Sequence, residues 1–359
     1  MTADAVGGIW PYALDLARAL PAADYAITLA VLGPAPSAEQ RAAAAAIPGL
    51  ALVETGLPLD WLAPDTEAVL ASARAIAALA VSTGADLVQV NSPALAAVPF
   101  PLPVVAVAHS CLATWWDAAG EGALPDDFRW RIDLHAAGLR AATRVVTPSA
   151  AFSRATAAAY GLPVAPTVVL NGRSPLPLPS AERRDFALTV GRLWDGGKNV
   201  AVLDRAAARL GVPFRAAGAT SGPGGASIAL NHLIAIGHVD DARLGELLAT
   251  QPVFASAARY EPFGLAVLEA AAAGCALVLS DIPTFRELWS DAAIFVDAQD
   301  SDGFARALQA TIDDPRERTA MGERARSRAA GYTPAAMAAG LAAVYRDALA
   351  KPALEQQAA

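Results

Sequence analysis

Lysine is almost absent from this sequence, and cysteine and aromatic residues are scarce. The chain has 359 residues, of which two are lysine, two are cysteine and 6% are aromatic. Cys111 and Cys275 are far apart and lack the spacing of metal ligands, so we expect two buried thiols in a reducing cytoplasm. The other basic residues are 25 arginines, a bias that together with abundant alanine, glycine and proline is typical of a GC-rich bacterial genome.

A long uninterrupted apolar segment is also missing. Hydrophobic residues make up 55% of the chain, but most are alanines in helical patterns, and no run of about 20 residues is apolar enough to span a bilayer. The net charge of −8 and the pI of about 5.1 argue against a nucleic-acid partner and against a strongly basic membrane-docking face. No signal peptide is recognisable. We therefore expect a soluble cytoplasmic protein.

Apolar segments alternate with helical patterns, which predicts parallel sheets covered by helices on both faces. A proline-rich polar connector, SPLPLPSAERR, separates two such series and is the best domain boundary in the chain. The length of the chain also suits two domains. We expect an N-terminal domain over 1–173, a linker over 174–184, a C-terminal domain over 185–332 and a final helix over 333–350.

The N-terminal domain opens on a glycine pair that leads into an amphipathic helix. Gly7 and Gly8 allow the backbone to approach a phosphate or a sugar at the start of this helix, although a tight turn explains two glycines equally well. Along the helix, Leu16 and Leu20 lie on one side, and Asp15 and Arg18 on the other.

No apolar strand precedes Thr2, although the first strand of a doubly wound sheet is central. We therefore expect this strand to be missing and the natural reading frame to begin several residues upstream.

The most informative stretch is EPFGLAVLEAAAAGCALVLSD at 261–281, which predicts a loop, a short helix, a turn and a strand. Gly264 marks the entry to the helix and Gly274 its C-terminal end. Glu261 then precedes the helix and Glu269 lies within it.

Helix N-termini bind anions through unpaired backbone N–H groups. The amides around Phe263, Gly264 and Leu265 are therefore candidates to hold a phosphate, with the two carboxylates as acceptors for sugar or ribose hydroxyls. The alternative is that Glu261 interacts only with the helix dipole and that Glu269 is a solvated helical residue.

Two cations follow an apolar strand at 186–190. Arg192 lies at its carboxyl end, and the turn at Gly196 and Gly197 returns Lys198 toward the same edge. Fixed cations stabilise the negative charge that develops on a leaving diphosphate. A surface ion pair for Arg192 and a solvated turn for Lys198 are the alternatives.

The spacing of Glu261, the Pro262–Gly264 entry, Glu269 and Gly274 resembles the signature of the family 4 (group 1) retaining glycosyltransferases. The resemblance implies an α/β GT-B fold, with two Rossmann-like doubly wound parallel-sheet domains facing a central cleft. It also implies a UDP- or GDP-linked sugar as donor on the second domain and a glycan or glycoconjugate as acceptor on the first. No cofactor is implied, and transient membrane association stays open.

The same resemblance implies roles for particular residues. Catalytic roles fall to Glu261, Arg192, Lys198 and His109, the last at the end of a strand that faces the donor sugar in the family; a lone histidine is otherwise more often structural. The implied donor-binding residues are Glu269, Phe263, Gly264, Leu265, Val239, Gly7 and Gly8. In the family the final helix crosses back to the first domain, and here its apolar stripe is Met337, Leu341, Val344 and Ala348.

Asp300 and Asp302 have the D-x-D spacing of metal-dependent transferases of another fold, but they precede a helix, so capping explains them better. We expect no metal. Two other functions stay open: a nucleotide-sugar epimerase of the same architecture, for which the acids and histidines are few, and a non-catalytic nucleotide-sugar-binding protein.

Overall fold

A computed structural model describes residues 1–350, and these form two compact α/β units. The first unit comprises Met1–Trp116, Glu121–Gly172 and the segment that begins at Pro334. The second comprises Asp117–Gly120 and Arg173–Thr333. All paired strands in both units run parallel, as the alternation of apolar and helical segments predicts.

The first unit contains two neighbouring parallel sheets. Their strands are β1 (Thr2–Asp4), β2 (Ile27–Leu32), β3 (Leu50–Glu54), β4 (Val88–Val90), β5 (Val104–Val107), β6 (Arg144–Thr147) and β7 (Thr167–Val168). One sheet has the order β1-β2-β3 and the other β4-β5-β6-β7. The helices in this part of the chain are α1 (Ile9–Ala19), α2 (Ala38–Ala45), α3 (Thr66–Ser82), α4 (Leu112–Ala119), α5 (Asp126–Ala141) and α6 (Ala150–Tyr160).

Strand β1 corrects the expectation that the first strand is missing. It is buried and pairs with β2, with Thr2 opposite Ala30. On its other side, the N–H of Asn91 donates to Thr2 Oγ1 at 2.9 Å, and Asn91 Nδ2 donates to the Thr2 carbonyl at 2.7 Å. These bonds satisfy groups that a ladder would otherwise pair. The sequence pattern missed β1 because three residues cannot show an apolar run.

The second unit contains one six-stranded sheet. Its strands are β8 (Ala187–Val190), β9 (Phe214–Ala217), β10 (Ile234–Gly237), β11 (Val253–Ser256), β12 (Leu277–Ser280) and β13 (Ala293–Val296). Its helices are α7 (Val200–Ala207), α8 (Asp241–Ala249), α9 (Leu265–Ala272), α10 (Pro283–Trp289), α11 (Ser301–Asp313) and α12 (Pro315–Ala329).

The strand order of this sheet is β10-β9-β8-β11-β12-β13. Counted from β8, this is the 3-2-1-4-5-6 order of a Rossmann-type sheet, which reverses between β8 and β11. Ligands of open α/β sheets bind beyond the carboxyl ends of the strands at such a reversal. We therefore expect a ligand-binding site at the loops that follow β8 and β11.

The last helix, α13 (Pro334–Ala350), belongs to the first unit. The predicted apolar stripe is buried, and it packs with residues of α1 and β5. This packing corrects the prediction for α1, because Asp15 is fully buried, 3.6 Å from the Arg18 guanidinium, rather than on a polar face. A helix covered by another helix and by a sheet has little surface left for a polar face.

Both cysteines are buried, as predicted. Burial raises the pKa of the Cys111 thiol and raises the pKa of Cys275 to about 12. Among residues 1–350, no helix combines the length and the apolar character needed to cross a bilayer.

Candidate functional site

A short turn after β8 presents Lys198 at the strand reversal of the second unit. Asp195 holds this turn, because its carboxylate accepts from the N–H of Gly197 at 2.9 Å and from Arg192 Nη2 at 2.8 Å. Residues Gly196–Lys198 form one 3-10 turn. The Arg192 side chain remains 61% exposed, so a ligand can reach it. Arg192 and Lys198 therefore lie on one loop, and the Asp195 carboxylate stabilises its conformation.

Lys198 forms an ion pair with Glu261, which lies on the loop after β11. The side chain of Lys198 is 23% exposed and that of Glu261 is 14% exposed, so the pair is partly screened from water. Main-chain bonds join the same two loops, since the N–H groups of Arg259 and Tyr260 both donate to the Gly197 carbonyl at 2.9 and 3.2 Å. The predicted catalytic residues Lys198 and Glu261 are therefore in direct contact.

Asn199 connects three loops at this edge of the sheet. It has left-handed backbone angles, φ 54° and ψ 38°, and α7 begins directly after it. Its Nδ2 donates to the carbonyl of Ala257 at 2.9 Å and to that of Ala298 at 2.6 Å. These carbonyls follow β11 and β13. Asn199 is not among the site residues predicted from the sequence, although asparagine after a glycine turn is a signal for left-handed backbone.

Gly264 sets the entry to α9 and cannot be replaced without strain. Its φ is +94°, and a Cβ atom there would lie 3.3 Å from Glu261 Cγ and 3.3 Å from Phe285 Cε1. The first backbone N–H groups of α9 have no partner inside the helix and face the end where partial positive charge accumulates. Leu265 is half-buried, and the Phe263 side chain packs edge-on against Tyr332 in the core. For Phe263, only the backbone is free to meet a ligand.

Glu269 is held by an arginine that the sequence pattern did not single out. Arg173 Nε donates to Glu269 Oε1 at 2.9 Å, and Arg173 Nη2 donates to Asp241 Oδ2 at 2.7 Å. The side chains of Arg173 and Glu269 are only 8% and 11% exposed. Arg173 therefore fixes the direction of the Glu269 carboxylate within the second unit.

Val239 lies in the loop between β10 and α8, and its side chain packs partly against the core. Asp240 caps α8 by accepting from the N–H of Arg243 at 2.7 Å. Val239 is half-buried, so part of it remains accessible to a ligand.

The remaining predicted residues belong to the first unit. The loop after β1 is held by Asp4, whose Oδ1 accepts from the N–H groups of Val6 and Gly7 at 2.9 and 3.0 Å. Gly8 precedes the first residue of α1. Neither glycine has a positive φ, so the pair allows close approach through its lack of side chains rather than through unusual backbone angles.

His109 follows β5 and is half-buried. Its Nε2 lies 3.1 Å from Asn91 Oδ1, and its ring meets the Tyr12 ring edge-on with centroids 4.4 Å apart. Burial lowers the pKa of His109 to about 4, so the imidazole is neutral near pH 7.

Asp300 and Asp302 are engaged in structural contacts. Asp300 caps α11 by accepting from the N–H of Gly303 at 2.8 Å, and Asp302 pairs with Arg209 at 3.1 Å. The capping interpretation is therefore confirmed. Across the described part of the chain, no three histidine, cysteine or acidic side chains come together in a group that could hold a metal ion.

Two family models match the chain. The model for glycosyltransferase family 4 matches residues 6–174, and the model for glycosyl transferases group 1 matches residues 226–328. Phosphatidyl-myo-inositol mannosyltransferase of Mycolicibacterium smegmatis is 35% identical over 117 residues, which is 32% of this chain and 30% of that protein. Glycogen synthase of Mycobacterium tuberculosis is 38% identical over 82 residues, 22% of this chain and 20% of that one. The matches thus span less than a third of each curated relative.

Solved structures match over nearly the whole length. Sucrose-phosphate synthase from Thermosynechococcus elongatus superposes with a TM-score of 0.75 at 20% identity, covering 94% of this chain and 92% of that one. Anabaena HepE, solved in complex with UDP-glucose, gives a TM-score of 0.70 at 19% identity over 95% and 96% of the two chains. With the two Rossmann-like units and the two family matches, these likenesses show that the chain belongs to the GT-B glycosyltransferases.

Proposed function

We propose that this protein is a retaining, metal-independent glycosyltransferase that moves a sugar from a UDP- or GDP-linked donor to a glycan or glycoconjugate acceptor. The observation that carries this proposal is the contact between Lys198 and Glu261 at the strand reversal of the second unit, beside the N-terminus of α9. That edge is where a sheet of this order binds nucleotides.

The cations explain how a diphosphate can leave without a metal. Cleavage of the bond between the anomeric carbon and the phosphate oxygen leaves negative charge on the diphosphate. Lys198 and Arg192 supply two positive charges, and the free N–H groups at the start of α9 supply further donors. Lys198 exchanges its bond to Glu261 for a phosphate oxygen when the donor binds, which leaves the Glu261 carboxylate to orient a sugar hydroxyl.

Retention follows from front-face transfer in this proposal. The acceptor hydroxyl oxygen forms its bond to the anomeric carbon on the face from which the diphosphate departs, and its proton passes to the leaving phosphate oxygen. The resemblance to the family supports this scheme, which requires no covalent nucleophile from the protein.

The relatives support the substrate classes. HepE is described with UDP-glucose bound, which favours a nucleotide-sugar donor. The matched mannosyltransferase carries phosphatidyl-myo-inositol in its name, which favours a glycoconjugate acceptor. Glu269, held by Arg173, is placed in the proposal as the acceptor for ribose hydroxyls, and His109 as a contact to the donor sugar.

A panel of nucleotide sugars tests the proposal. The protein is incubated with UDP-glucose, UDP-N-acetylglucosamine, GDP-mannose and the free nucleotides, and both thermal stabilisation and donor hydrolysis are measured. We expect one base to stabilise the protein and one sugar donor to be hydrolysed slowly, with loss of hydrolysis in Lys198→Met. NMR of the released or transferred sugar then reports the anomeric configuration.

Three outcomes contradict the proposal. Formation of an epimerised sugar in the absence of an acceptor supports a nucleotide-sugar epimerase instead. Stabilisation without any turnover, in the presence of a cell-wall or lipid acceptor extract, supports a binding protein. Release of a sugar whose anomeric configuration is opposite to that of the donor contradicts the retaining mechanism.

A further inference from the structure

A network of hydrogen-bonded, buried polar side chains in the first unit ends at His109. Asn91 Oδ1 lies 2.9 Å from Gln89 Nε2 and 3.1 Å from His109 Nε2. Gln89 Oε1 in turn accepts from the hydroxyl of Tyr345 on α13. The side chains of Gln89 and Asn91 are 3% and 5% exposed, so water competes little with these bonds.

The donor and acceptor of every hydrogen bond in this network are set by one main-chain carbonyl, that of Thr2. Asn91 Nδ2 donates to the carbonyl of Thr2 at 2.7 Å, and a carbonyl can only accept. The opposite orientation of the amide would bring two oxygen acceptors to that distance. The amide orientation of Asn91 is therefore fixed, and its Oδ1 faces both Gln89 and His109.

The ring nitrogen of His109 that meets an acceptor must carry the hydrogen. Because Asn91 presents an oxygen, Nε2 of His109 is the donor. In a neutral ring the other nitrogen, Nδ1, then has no hydrogen and can only accept.

We propose that Asn91 is a positioning residue that fixes His109 in the Nε2–H tautomer, so that the ring offers Nδ1 as a hydrogen-bond acceptor for a hydroxyl group of the donor sugar. The role of the sugar rests on the proposed function, whereas the tautomer does not. A ring in this form binds groups that donate and disfavours a carboxylate, which can only accept. It also has no proton on Nδ1 to give to a leaving group.

NMR of protein labelled with nitrogen-15 in histidine tests the tautomer directly. The four histidines give four ring systems, and His109→Gln identifies the one that belongs to His109. Long-range proton–nitrogen spectra of the wild-type protein should show a protonated Nε2 and a bare Nδ1 near pH 7. The reverse assignment, or an even mixture, overturns the proposal.

Variants test whether Asn91 is the cause. Asn91→Ala removes the acceptor that faces Nε2 of His109 and should therefore give a mixture of tautomers. Ser92→Ala is the matched control, because the Ser92 hydroxyl donates to Asp60 Oδ2 at 2.5 Å and lies outside this hydrogen-bond network. An unchanged tautomer in folded Asn91→Ala contradicts the role of Asn91. Should Asn91→Ala fail to fold, the wild-type spectrum still decides the tautomer.

Kinetics separate the tautomer from the proposed function. Loss of one hydrogen bond made equally to bound substrate and transition state should raise KM for the donor about fivefold to tenfold in Asn91→Ala, with kcat little changed. If His109 has the Nε2–H form but the protein binds no nucleotide sugar, the assigned tautomer is confirmed and the proposed function is rejected. An Nε2–H ring in an active enzyme whose KM is unchanged in Asn91→Ala rejects the contact to the sugar.

Discussion

Lys198 and Glu261 neutralise each other on two loops of the second unit. Each charge is partly shielded from water, at 23% and 14% exposure. Removal of either partner leaves the other charge partly buried without its counter-charge. In the proposed mechanism, the pair holds the lysine ammonium in position until a phosphate replaces the carboxylate.

Lys198→Ala and Arg192→Ala should each lower turnover about 10²-fold, because each removes a preorganised positive charge from the leaving diphosphate. Arg209→Ala is a matched control, since Arg209 is an exposed arginine of the same unit that pairs with Asp302. Steady-state kinetics with the donor found in the panel measures the effect. Wild-type turnover in both variants would remove these two residues from the site.

Gly264→Ala should destabilise the protein and abolish donor binding, since the new Cβ would meet Glu261 and Phe285 at 3.3 Å and the φ of +94° strains the backbone. Gly161 is the control. It also has a positive φ, +57°, but has open space around it, so Gly161→Ala costs about 1–2 kcal/mol from the backbone alone. Chemical denaturation compares the two variants. Equal losses of stability would show that crowding at Gly264 is unimportant.

Arg173→Gln should raise KM for the nucleotide sugar about tenfold, because Glu269 loses the guanidinium that directs it. Asp241→Asn removes the other carboxylate bonded to Arg173, and it should change KM little because that side chain is 66% exposed. Isothermal titration with the nucleotide sugar provides an independent measure. A larger effect of Asp241→Asn would mean that Arg173 acts through Asp241 instead.

Excess EDTA should leave transfer unchanged, because the two cations and the amides of α9 perform the role of a metal. Asp300→Asn keeps an N-cap on α11 but removes a charge that a metal would need, so we expect normal activity and normal stability. Activity that is lost in EDTA and restored by Mn²⁺ would contradict this prediction and return Asp300 and Asp302 to the site.

Acid should destabilise the first unit through His135. This side chain is 9% exposed, stacks on Tyr160 and has no hydrogen-bond partner for Nε2 within the described residues. Burial lowers its pKa from 6.5 to about 4. The unfolded state therefore binds more protons between these values, so the stability present above pH 6.5 falls as pH drops toward 4, by up to about 3 kcal/mol.

His135→Phe keeps the stacked ring without a titrating group. Its melting temperature should fall less than that of the wild type between pH 6.5 and 4. His232→Phe is a control, because His232 is exposed. Parallel pH profiles for His135→Phe and wild type would show that acid acts elsewhere.

Local patterns predicted the parts of the site that are local. The strand, the glycine turn and Lys198 are contiguous, as are Gly264 and α9, so composition and spacing were enough to place them. The stripe of α13 was predicted for the same reason, since a helical repeat is visible over 17 residues.

Contacts between distant residues could not be predicted in this way. Arg173 is 96 positions from Glu269, and Asn199 is 99 positions from Ala298. Asp15 is fully buried on α1, a helix that packs against α13 from the other end of the chain. Strand β1 is placed by its pairing with β2 and by bonds with Asn91, 89 positions away, neither of which is visible in the three residues themselves. Such features depend on which segments the fold brings together.

The two hydrogen bonds of the Asn199 side chain also bear on how this edge of the sheet opens. One amide group holds the ends of two strands, and the residue before it carries the lysine. Release of any one of these loops therefore loosens the others, so the edge should open as a single cooperative unit rather than loop by loop. Amide hydrogens in all three loops would then exchange with solvent at one shared rate, and a bound diphosphate that pins Lys198 would slow all of them together.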